Sequence, residues 1–367
     1  MHTSRFAHLD QLMASNHIDA IVLNPGSTMV YLTGLHFHLM ERPTVLLYKC
    51  GDQPHLILPE LEAGKLNSIS FPIVAHTFGD NPSTWPQVFT YAAVGFTGKH
   101  LKIGVEASRM RFLEMEYLQR AIPDASFVNA ESVLGRLRVN KDEAEIANMQ
   151  KAVQIAEKAL DATLPFIKPG VSEQELASEL IIQLFKAGSS SELPFAPIIA
   201  GGPNSANPHA VPSARKLKRG DMVIIDWGAS YEDAISDLTR TFALGEITPE
   251  FIEIFEIVKK ANTTGRETGK PGIPAGIVDD ATRKVIDQSG YGKFFTHRTG
   301  HGIGMEAHEH PYIFSGNDLI LEKGMTYTIE PGIYLPDKGG VRIEDNMVIT
   351  ADGSRSLSTF PRELRIL

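Results

Sequence analysis

The chain has 367 residues, 43% of them apolar and 22% charged, which is typical of a soluble globular protein long enough for two domains. Its net charge of −9 excludes a general nucleic-acid binder, and its single cysteine, Cys50, excludes an intramolecular disulfide and a cysteine-rich metal cluster. No apolar run approaches the roughly 20 residues that span a bilayer, and the first residues lack a signal-peptide pattern. We therefore expect a cytoplasmic enzyme or binding protein without a nucleic-acid or membrane partner.

Residues 1–132 predict a small α/β domain. Ser4 to Asn16 has apolar residues at helical spacing, and several short apolar runs are bounded by Gly, Pro, Asn or Asp, as strands are. The alternation predicts a mixed or parallel sheet. The segment has no phosphate-binding loop and no cluster of acids and histidines, so it does not indicate a function by itself. We expect strands at 20–23, 44–48, 55–58 and 102–105, and helices at about 84–94 and 109–121.

Residues 138–367 predict a second domain that begins with long helices. Asn140 to Glu143 has the form of a capping box, and apolar residues follow it at spacings of three and four. Ser172 to Glu175 is a second capping box, and Thr248-Pro249 is typical of a helix N-cap followed by proline at the first helical position. We expect helices from the first capping box to about 164, from the second to about 187, from 249 to about 269, and over about 275–289.

An acidic hairpin lies between the two helix pairs. The apolar run Met222 to Ile225 predicts a buried strand that ends in Asp226, and Asp237 lies in the returning strand. A symmetric hairpin, with its midpoint between Tyr231 and Glu232, would place the two aspartates opposite each other with Cβ atoms roughly 5 Å apart. Two like charges held in this way require a shared proton, a basic side chain or a metal ion.

The hairpin has a counterpart later in the chain. Leu321 to Gly332 matches Leu217 to Gly228 at an offset of 104, with leucine, a base, glycine, isoleucine, an acid and a second glycine at equivalent places. A Lys-Pro-Gly sequence also recurs, at 168–170 and 270–272. The period is too long for a solenoid, so we expect two copies of one helix–helix–hairpin unit related by a pseudo-twofold axis.

The repeat doubles the number of acids. Glu330 then corresponds to Asp226 and Glu344 to Asp237, with the second hairpin centred on Asp337. Four carboxylates within a few Å repel each other by several kcal/mol per close pair, even at an effective dielectric constant of about 20. A single acid at a strand end is more often solvated, and two acids can share a proton. Four acids at repeated positions instead favour two divalent cations, roughly 3.5–4 Å apart.

A glycine-rich segment supplies the histidines. Thr296 to Gly304 contains His297 and His301, and His308 follows it. The segment does not match a zinc-protease helix, because Arg298 follows the first histidine and the glycines disfavour a helix, and its spacing is not that of a dinucleotide-binding loop. The flanking glycines of His301 suit a close approach of the backbone to a metal ion. His209, His297 and His308, taken singly, are more often ordinary core or surface histidines.

These segments resemble the pita-bread metallopeptidases, in particular the Xaa-Pro branch that contains prolidase and aminopeptidase P. The resemblance covers residues 138–367, and Tyr31-Leu32-Thr33-Gly34 is similar to the creatinase-like amino-terminal domain of that family. It implies an α+β chain with a pita-bread (creatinase/aminopeptidase) fold and internal pseudo-twofold repeat in 138–367, and a smaller α/β creatinase-like domain in 1–132. The motifs are Pro203-Asn204-Ser205-Ala206 to His209, Asp226-x-Gly228 to Asp237-x-Thr239-Arg240, His297-x-x-Gly300-His301-Gly302-Ile303-Gly304, Ile329-Glu330-Pro331-Gly332 and Arg342-x-Glu344-Asp345.

The resemblance implies five ligands for two divalent metal ions. Asp226 would bind one ion through both oxygens, Asp237 and Glu344 would bridge the ions, and His301 and Glu330 would complete the second site. Manganese or cobalt is the family expectation, and the oxygen and imidazole donors also suit zinc or iron.

The resemblance also implies roles around the metals. Glu330 would carry protons, and His209 and His308 would position the substrate and stabilise an oxyanion. His297 would line the leaving-group side, and Arg342 would bind a substrate carboxylate or a neighbouring acid.

The implied activity is hydrolysis of the peptide bond that precedes proline, with Xaa-Pro dipeptides favoured among proline-containing di- and oligopeptides. Aminopeptidase P activity on longer peptides is the close alternative, and a metal-dependent lyase is a more distant one. The complete ligand set disfavours both a metal-free creatinase and a binding protein. The family also implies a homodimer in which the partner's amino-terminal domain can close the site. His36 and His38 are then candidate contributors, although a surface-loop role is favoured for each.

Overall fold

The computed structural model describes residues 2–96 and 100–367. The chain divides into two compact units, with the division between Arg138 and Val139. The helices and strands of the first unit are α1 (His2–Ser15), β1 (Ala20–Leu23), α2 (Ser27–Thr33), β2 (Val45–Lys49), β3 (His55–Pro59), β4 (Val74–Phe78), α3 (Trp85–Ala92), β5 (Lys102–Val105), α4 (Phe112–Ala121), β6 (Ser126–Asn129) and α5 (Glu131–Arg138).

The first unit contains a six-stranded sheet in the order β4-β3-β2-β1-β5-β6. β2 is antiparallel to β1 and to β3, while the β1–β5, β5–β6 and β3–β4 pairs are parallel. All residues of β1 are buried, as expected for a central strand of a covered sheet. Phe89 of α3 and Leu118 of α4 belong to the same buried cluster as Val22 and Ile103 of the sheet. The predicted mixed sheet is confirmed.

The second unit contains four long helices and the remaining strands. Its helices and strands are α6 (Glu143–Thr163), α7 (Glu173–Ala187), β7 (Ile198–Gly201), β8 (Met222–Trp227), β9 (Ser230–Tyr231), β10 (Ala234–Ile235), β11 (Leu238–Ala243), α8 (Pro249–Thr268), α9 (Gly276–Gln288), β12 (Gly300–Gly302), β13 (Glu309–Ile313), β14 (Thr326–Ile329), β15 (Gly332–Leu335), β16 (Gly339–Arg342), β17 (Asp345–Ile349), β18 (Ser354–Ser356) and β19 (Arg365–Ile366).

Three of the four long helices of the second unit begin where the sequence predicted. The Ser172–Glu175 capping box opens α7, Pro249 begins α8, and α9 falls within the expected range. The first capping box was placed wrongly: Asp142 caps α6, and Glu145 returns the bond. Asn140 is engaged elsewhere, because it pairs with Met325 in a β-bridge and its amide donates to the Lys323 carbonyl at 3.0 Å.

The helix pairs cover the strands that carry the acids. α6 packs on α7 and α8 on α9. Val153 of α6 and Leu180 of α7 share a buried cluster with Ile225 of β8, so the first helix pair supports the strand that ends near Asp226. A second cluster joins Phe255 of α8 to β15 and β16. The order helix, helix, hairpin therefore occurs twice, as the repeat predicted.

The register of the first hairpin differs from the prediction. Asp226 lies opposite Thr239, not opposite Asp237, and the same register continues through β9 and β10. The turn is the two-residue Glu232-Asp233, with φ values of 47° and 63°. Two residues with positive φ are typical of a tight hairpin turn. This turn shifts the pairing by two residues, so Asp226 and Asp237 are diagonal neighbours on one face of the hairpin.

The second hairpin has the predicted register. Ile329 pairs with Asp345 and Gly332 with Arg342, which places Glu330 and Glu344 directly opposite each other. The two hairpins meet at a β-bridge between Thr239 and Glu344. Because Thr239 lies opposite Asp226, it is Thr239 that corresponds to Glu344 by register. The predicted equivalence of Asp237 and Glu344 is therefore wrong by two residues, although both acids face the same site.

Within the described ranges, the helices are all too short or too polar to cross a membrane.

Candidate metal centre

A cavity of about 560 Å³ lies where the two hairpins meet. The four acids line it together, and one wall is apolar, with Phe195, Pro197, Ile198 and Val211. The sequence therefore predicted correctly that the doubled hairpin gathers its carboxylates in one place. The predicted site residues that line the cavity are Asp226, Asp237, Glu330, Glu344, His209, His297, His301, His308 and Arg342.

Two of the acids have a buried oxygen without a hydrogen-bond partner among the described residues. Asp226 accepts from Arg342 Nη2 through Oδ2 at 2.6 Å, while its Oδ1 is buried and unpartnered. Glu344 accepts from Thr239 Oγ1 through Oε2 at 2.7 Å, while its Oε1 is likewise buried and unpartnered. A buried carboxylate oxygen without a partner is costly, so both atoms are suited to bind a cation.

His301 is held in one orientation and one tautomer. Its Nδ1 lies 3.1 Å from the carbonyl oxygen of Gly302, which accepts the Nδ1 proton and leaves the lone pair of Nε2 available. Nε2 lies 3.3 Å from Glu330 Oε1 and 3.7 Å from Asp237 Oδ2. One donor atom each from Asp237, His301 and Glu344 lies within 4.8 Å of the others. This arrangement is compatible with a shared ion.

The glycines beside His301 have a packing role that the sequence did not predict. A Cβ atom at Gly300 would lie 1.9 Å from the Thr328 carbonyl oxygen, and one at Gly302 would lie 2.2 Å from the His310 backbone. Both glycines therefore allow neighbouring backbone to approach β12. The glycines are therefore required for close strand packing around the imidazole, and their predicted role beside a metal ion stays a prediction.

Gly300→Ala is therefore expected to destabilise the protein by about 1–3 kcal/mol, the usual cost of overpacking. The new methyl group would displace the strand that carries His301. The measurement is the thermal unfolding midpoint. Gly353→Ala is the matched control, because nothing lies within 4 Å of the position that its methyl group would take. Equal midpoints for the two variants would contradict the packing role.

The acids perturb one another's protonation. Burial first, and then the charge of Asp226, raise the pKa of Asp237 well above its ordinary value. Burial, and then the charges of Asp237 and Glu330, do the same to the pKa of Glu344. Burial raises the pKa of Glu330 to about 8, against the opposing charge of Arg342. The protein alone therefore does not stabilise four ionised carboxylates here, and additional positive charge would.

Arg342 is the basic side chain nearest the acids. Besides Asp226, its Nε donates to Thr239 Oγ1 at 3.1 Å and its Nη1 to Tyr334 Oη at 3.0 Å. The Tyr334 oxygen lies 2.8 Å from His297 Nε2, so the hydroxyl donates to the imidazole. Arg342 therefore contacts a neighbouring acid, one of its two predicted partners, and it offsets only one of four negative charges.

His297 is the last residue in this series of hydrogen bonds, which runs from Arg342 through Tyr334. Its Nδ1 lies 2.8 Å from the Arg298 carbonyl oxygen, so its second ring nitrogen is also occupied. Burial lowers the pKa of His297 to about 4. The imidazole is thus neutral and fixed in orientation.

The remaining predicted residues differ in exposure. His209 and His308 are exposed at the cavity, and the His308 ring packs edge-on against His301 with centroids 4.2 Å apart. His36 and His38 lie in the first unit, between α2 and β2. Their contribution to the site remains a prediction.

Sequence reasoning missed three residues. Thr239 and Arg298 both lie inside motifs that the sequence analysis had recognised. Arg298 could have been found, because it is a cation that directly follows the candidate site residue His297. Tyr334 gave no such signal, because only the hairpin register brings its hydroxyl to Arg342 and His297.

Comparison with known proteins agrees with the fold and the motifs. The metallopeptidase family M24 model matches residues 147–351, and the creatinase/prolidase N-terminal domain model matches residues 5–140. The Xaa-Pro dipeptidase of Pyrococcus horikoshii is 36% identical over 355 residues, 96% of each chain. The solved prolidase of Thermococcus sibiricus superposes with a TM-score of 0.94 at 34% identity, covering 100% of this chain and 99% of the other. The solved X-Pro aminopeptidase of Thermotoga maritima superposes with a TM-score of 0.85 at 30% identity, covering 99% of each chain.

These matches define a metal-dependent hydrolase that cleaves peptide bonds. The chain belongs to metallopeptidase family M24 and carries the family's creatinase/prolidase N-terminal domain. The predicted fold class is confirmed, and so is the predicted requirement for divalent metal ions at the level of the family.

Proposed function

We propose that this chain is an Xaa-Pro dipeptidase with two divalent metal ions at the doubled hairpin. The observation that carries the proposal is the set of four acids with His301 in one cavity. Asp237 and Glu344 are buried, and Asp226 and Glu344 each have a buried oxygen without a partner among the described residues. The names of the relatives support the choice of substrate. The experiment is hydrolysis of Xaa-Pro dipeptides by enzyme stripped with chelator and reloaded with Mn, Co or Zn. No turnover with any metal would contradict the proposal.

The donor set fits the metal pair. Asp226 would bind the first ion, and His301 and Glu330 would bind the second. Asp237 and Glu344 would each bind both ions. When bound, the ions supply Lewis acidity that lowers the pKa of a water molecule and makes it a nucleophile at neutral pH. Hard carboxylate oxygens with a single imidazole favour manganese or cobalt over thiophilic metals.

The protein's own groups would then bind and orient the substrate. Glu330, whose Oε1 lies 3.3 Å from His301 Nε2, would carry the proton to the leaving proline nitrogen. His209 and His308 line the cavity at its exposed side, where they would donate hydrogen bonds to the substrate carbonyl as charge develops on its oxygen. His297 would line the proline side, held by Tyr334. An Xaa-Pro bond has no N–H, so recognition must come from such groups and from the apolar wall.

Arg298 supports a dipeptide over a longer peptide. It lines the cavity, and its guanidinium stacks on Tyr312 at 4.5 Å from the ring centroid. Among the described residues it forms no ion pair. Its charge nevertheless reaches the site, because burial and then Arg298 lower the pKa of His308. We infer that Arg298 binds the free carboxylate of the proline residue. A longer peptide has an amide at that position instead.

Arg298→Gln is expected to raise the KM for an Xaa-Pro dipeptide by about tenfold or more, since a hydrogen bond to a charged group contributes about 1.5–3 kcal/mol. The KM for the corresponding Xaa-Pro amide should not change, because it has no carboxylate. Arg355→Gln, which changes an exposed arginine, is the matched control. An equal loss with both substrates would contradict the role of Arg298.

The alternative is an aminopeptidase P that removes the residue before proline from longer peptides. The likeness to the Thermotoga maritima enzyme supports this alternative. Comparable kcat/KM values for an Xaa-Pro-Xaa tripeptide and the Xaa-Pro dipeptide would favour this alternative.

We further propose a cytoplasmic homodimer whose domains are 1–132 and 138–367. The matched family models and the division after Arg138 support the domains. The exposed free thiol of Cys50 supports a reducing compartment. In such a dimer, His38 of one chain would complete the partner's site.

A further inference from the structure

We propose that a second cavity, on the opposite face of β17 from the candidate metal centre, binds a phosphate group. This cavity has a volume of about 400 Å³ and is formed by the end of α8, by β17 and β18, and by Arg362. It shares no lining residue with the cavity that contains the acids.

Strand alternation separates the two cavities. Successive side chains of a strand point to opposite faces. Glu344 lines the candidate metal centre, and on the same face the Asn346 side chain accepts from the backbone N–H of Asp237, another lining residue, at 3.1 Å. Asp345 and Met347 face the other way: Asp345 contacts Arg266, and Met347 lines the second cavity. The two sites therefore share one strand and use its two faces.

The lining of the second cavity carries three cations, Arg266, Lys270 and Arg362, against two acids, Glu267 and Asp352. Beside the cavity, Asp345 binds both Arg240 at 2.7 Å and Arg266 at 3.2 Å, while Arg362 forms no ion pair among the described residues. Arg362 donates only to the neutral oxygens of Asn262 and Thr263, at 2.8 Å each.

The unpaired charge is also visible at the entrance of the cavity. Lys270 lines it and forms no ion pair or hydrogen bond within the described part of the chain. The two lining acids, Glu267 and Asp352, are exposed to solvent, as Lys270 is, so water screens all three of these charges, whereas Arg266 and Arg362 are partly buried. Burial, and then the charge of Arg266, lower the pKa of Arg362, as expected for a guanidinium without an anionic partner.

The available donors select an anion. The hydroxyls of Ser354 and Ser356 already donate to carbonyl oxygens, at 2.6 and 2.9 Å. The Thr263 hydroxyl likewise donates to the Lys259 carbonyl oxygen, at 2.9 Å. Among the side chains of the described residues that line the cavity, the donors that remain belong to Arg266, Arg362 and Lys270, and all are cationic. Two guanidinium groups and an ammonium offer more donors than the two oxygens of a carboxylate can use, and they match the oxygens of a phosphate. Because the cavity is larger than an inorganic phosphate ion, the ligand class is a small phosphate ester.

The test is calorimetric titration of the metal-loaded protein with inorganic phosphate at constant ionic strength. Phosphate can also bind metal ions, so variants must separate the two events. Lys270→Gln is expected to weaken the binding event at this cavity by tenfold or more. Lys260→Gln, which changes an exposed lysine of α8 outside the cavity, should leave it unchanged. Acetate should not bind there.

Three results would overturn the proposal. If Lys270→Gln bound phosphate as the wild type does, phosphate would bind elsewhere. If both lysine variants weakened binding equally, the effect would come from the overall charge of the protein and not from this cavity. Equal binding of acetate would remove the preference for phosphate. Arg362→Gln provides a second variant, whose unfolding midpoint is measured alongside because Arg362 also binds Asn262 and Thr263. None of these measurements uses a peptide substrate, so their failure is distinguishable from failure of the proposed peptidase activity.

Discussion

Glu344→Gln is expected to reduce turnover of an Xaa-Pro dipeptide by more than about 100-fold. Mutation of a residue that only supports a metal ligand typically costs about 10–100-fold in activity, and loss of a ligand itself should cost more. Glu344 is buried, and its Oε1 has no hydrogen-bond partner within residues 2–96 and 100–367. The amide would remove the negative charge and replace one of the two oxygens of a shared ligand by an NH2 group, which does not coordinate a cation. Asp237→Asn should have the same effect for the same reason. The measurement is kcat/KM at saturating metal.

The controls for this prediction are simple. Glu363→Gln removes one negative charge from an exposed position and should retain wild-type turnover. Each variant must also keep its thermal midpoint within a few degrees of the wild type, so that unfolding does not explain the loss. Wild-type kcat/KM for Glu344→Gln under these conditions would show that this carboxylate is not a ligand.

Lys141→Met is expected to destabilise the second unit by about 3–5 kcal/mol, the usual cost of removing one partner of a buried ion pair. The side chains of Lys141 and Glu309 are only 4% and 6% exposed, and the ammonium also donates to the Val139 carbonyl oxygen at 3.3 Å. Glu309 directly follows His308, so the pair fixes the end of the segment that carries this histidine. The measurement is the unfolding free energy from urea titration.

A matched pair of variants tests this expectation. Lys338→Met breaks an exposed pair with Glu250, whose side chains are 58% and 39% exposed, and it should cost less than about 1 kcal/mol. The double variant Lys141→Met with Glu309→Leu should recover much of the loss, because both charges are then removed. If Lys141→Met were no more destabilising than Lys338→Met, the buried pair would not be what stabilises this part of the second unit.

The sequence was sufficient for the architecture where a pattern extended over many residues. The capping box at Ser172 and the proline at 249 located the starts of helices because each has a specific local geometry. The offset of 104 between two apolar strands with an acid at their end predicted the doubled hairpin, and symmetric pairing around Asp337 located Glu330 opposite Glu344.

The same reasoning failed where a turn or a competing contact decided the outcome. Glu232 and Asp233 are not the glycine or asparagine expected at positive φ, so their tight turn could not be recognised, and the first register was wrong by two residues. Asn140 looked like a helix cap, but a β-bridge to Met325, far away in sequence, engages it. Such contacts depend on the folded chain as a whole.

The site was predictable to the extent that it depends on repeated acids and on recognised motifs. What the sequence did not contain is the arrangement that supports them. The Arg342 side chain connects Asp226, Thr239 and Tyr334 through three of its nitrogens, and only the packing of both hairpins brings these groups together.

The most direct test of the account is the number of metal ions bound per chain, measured by elemental analysis after reloading and removal of free metal. We predict two ions per chain in the wild type and fewer than two in Glu344→Gln, with Glu363→Gln unchanged. This count does not depend on knowing the substrate. One ion or none in a folded, reloaded wild-type protein would contradict the conclusion that the doubled hairpin forms a dinuclear centre.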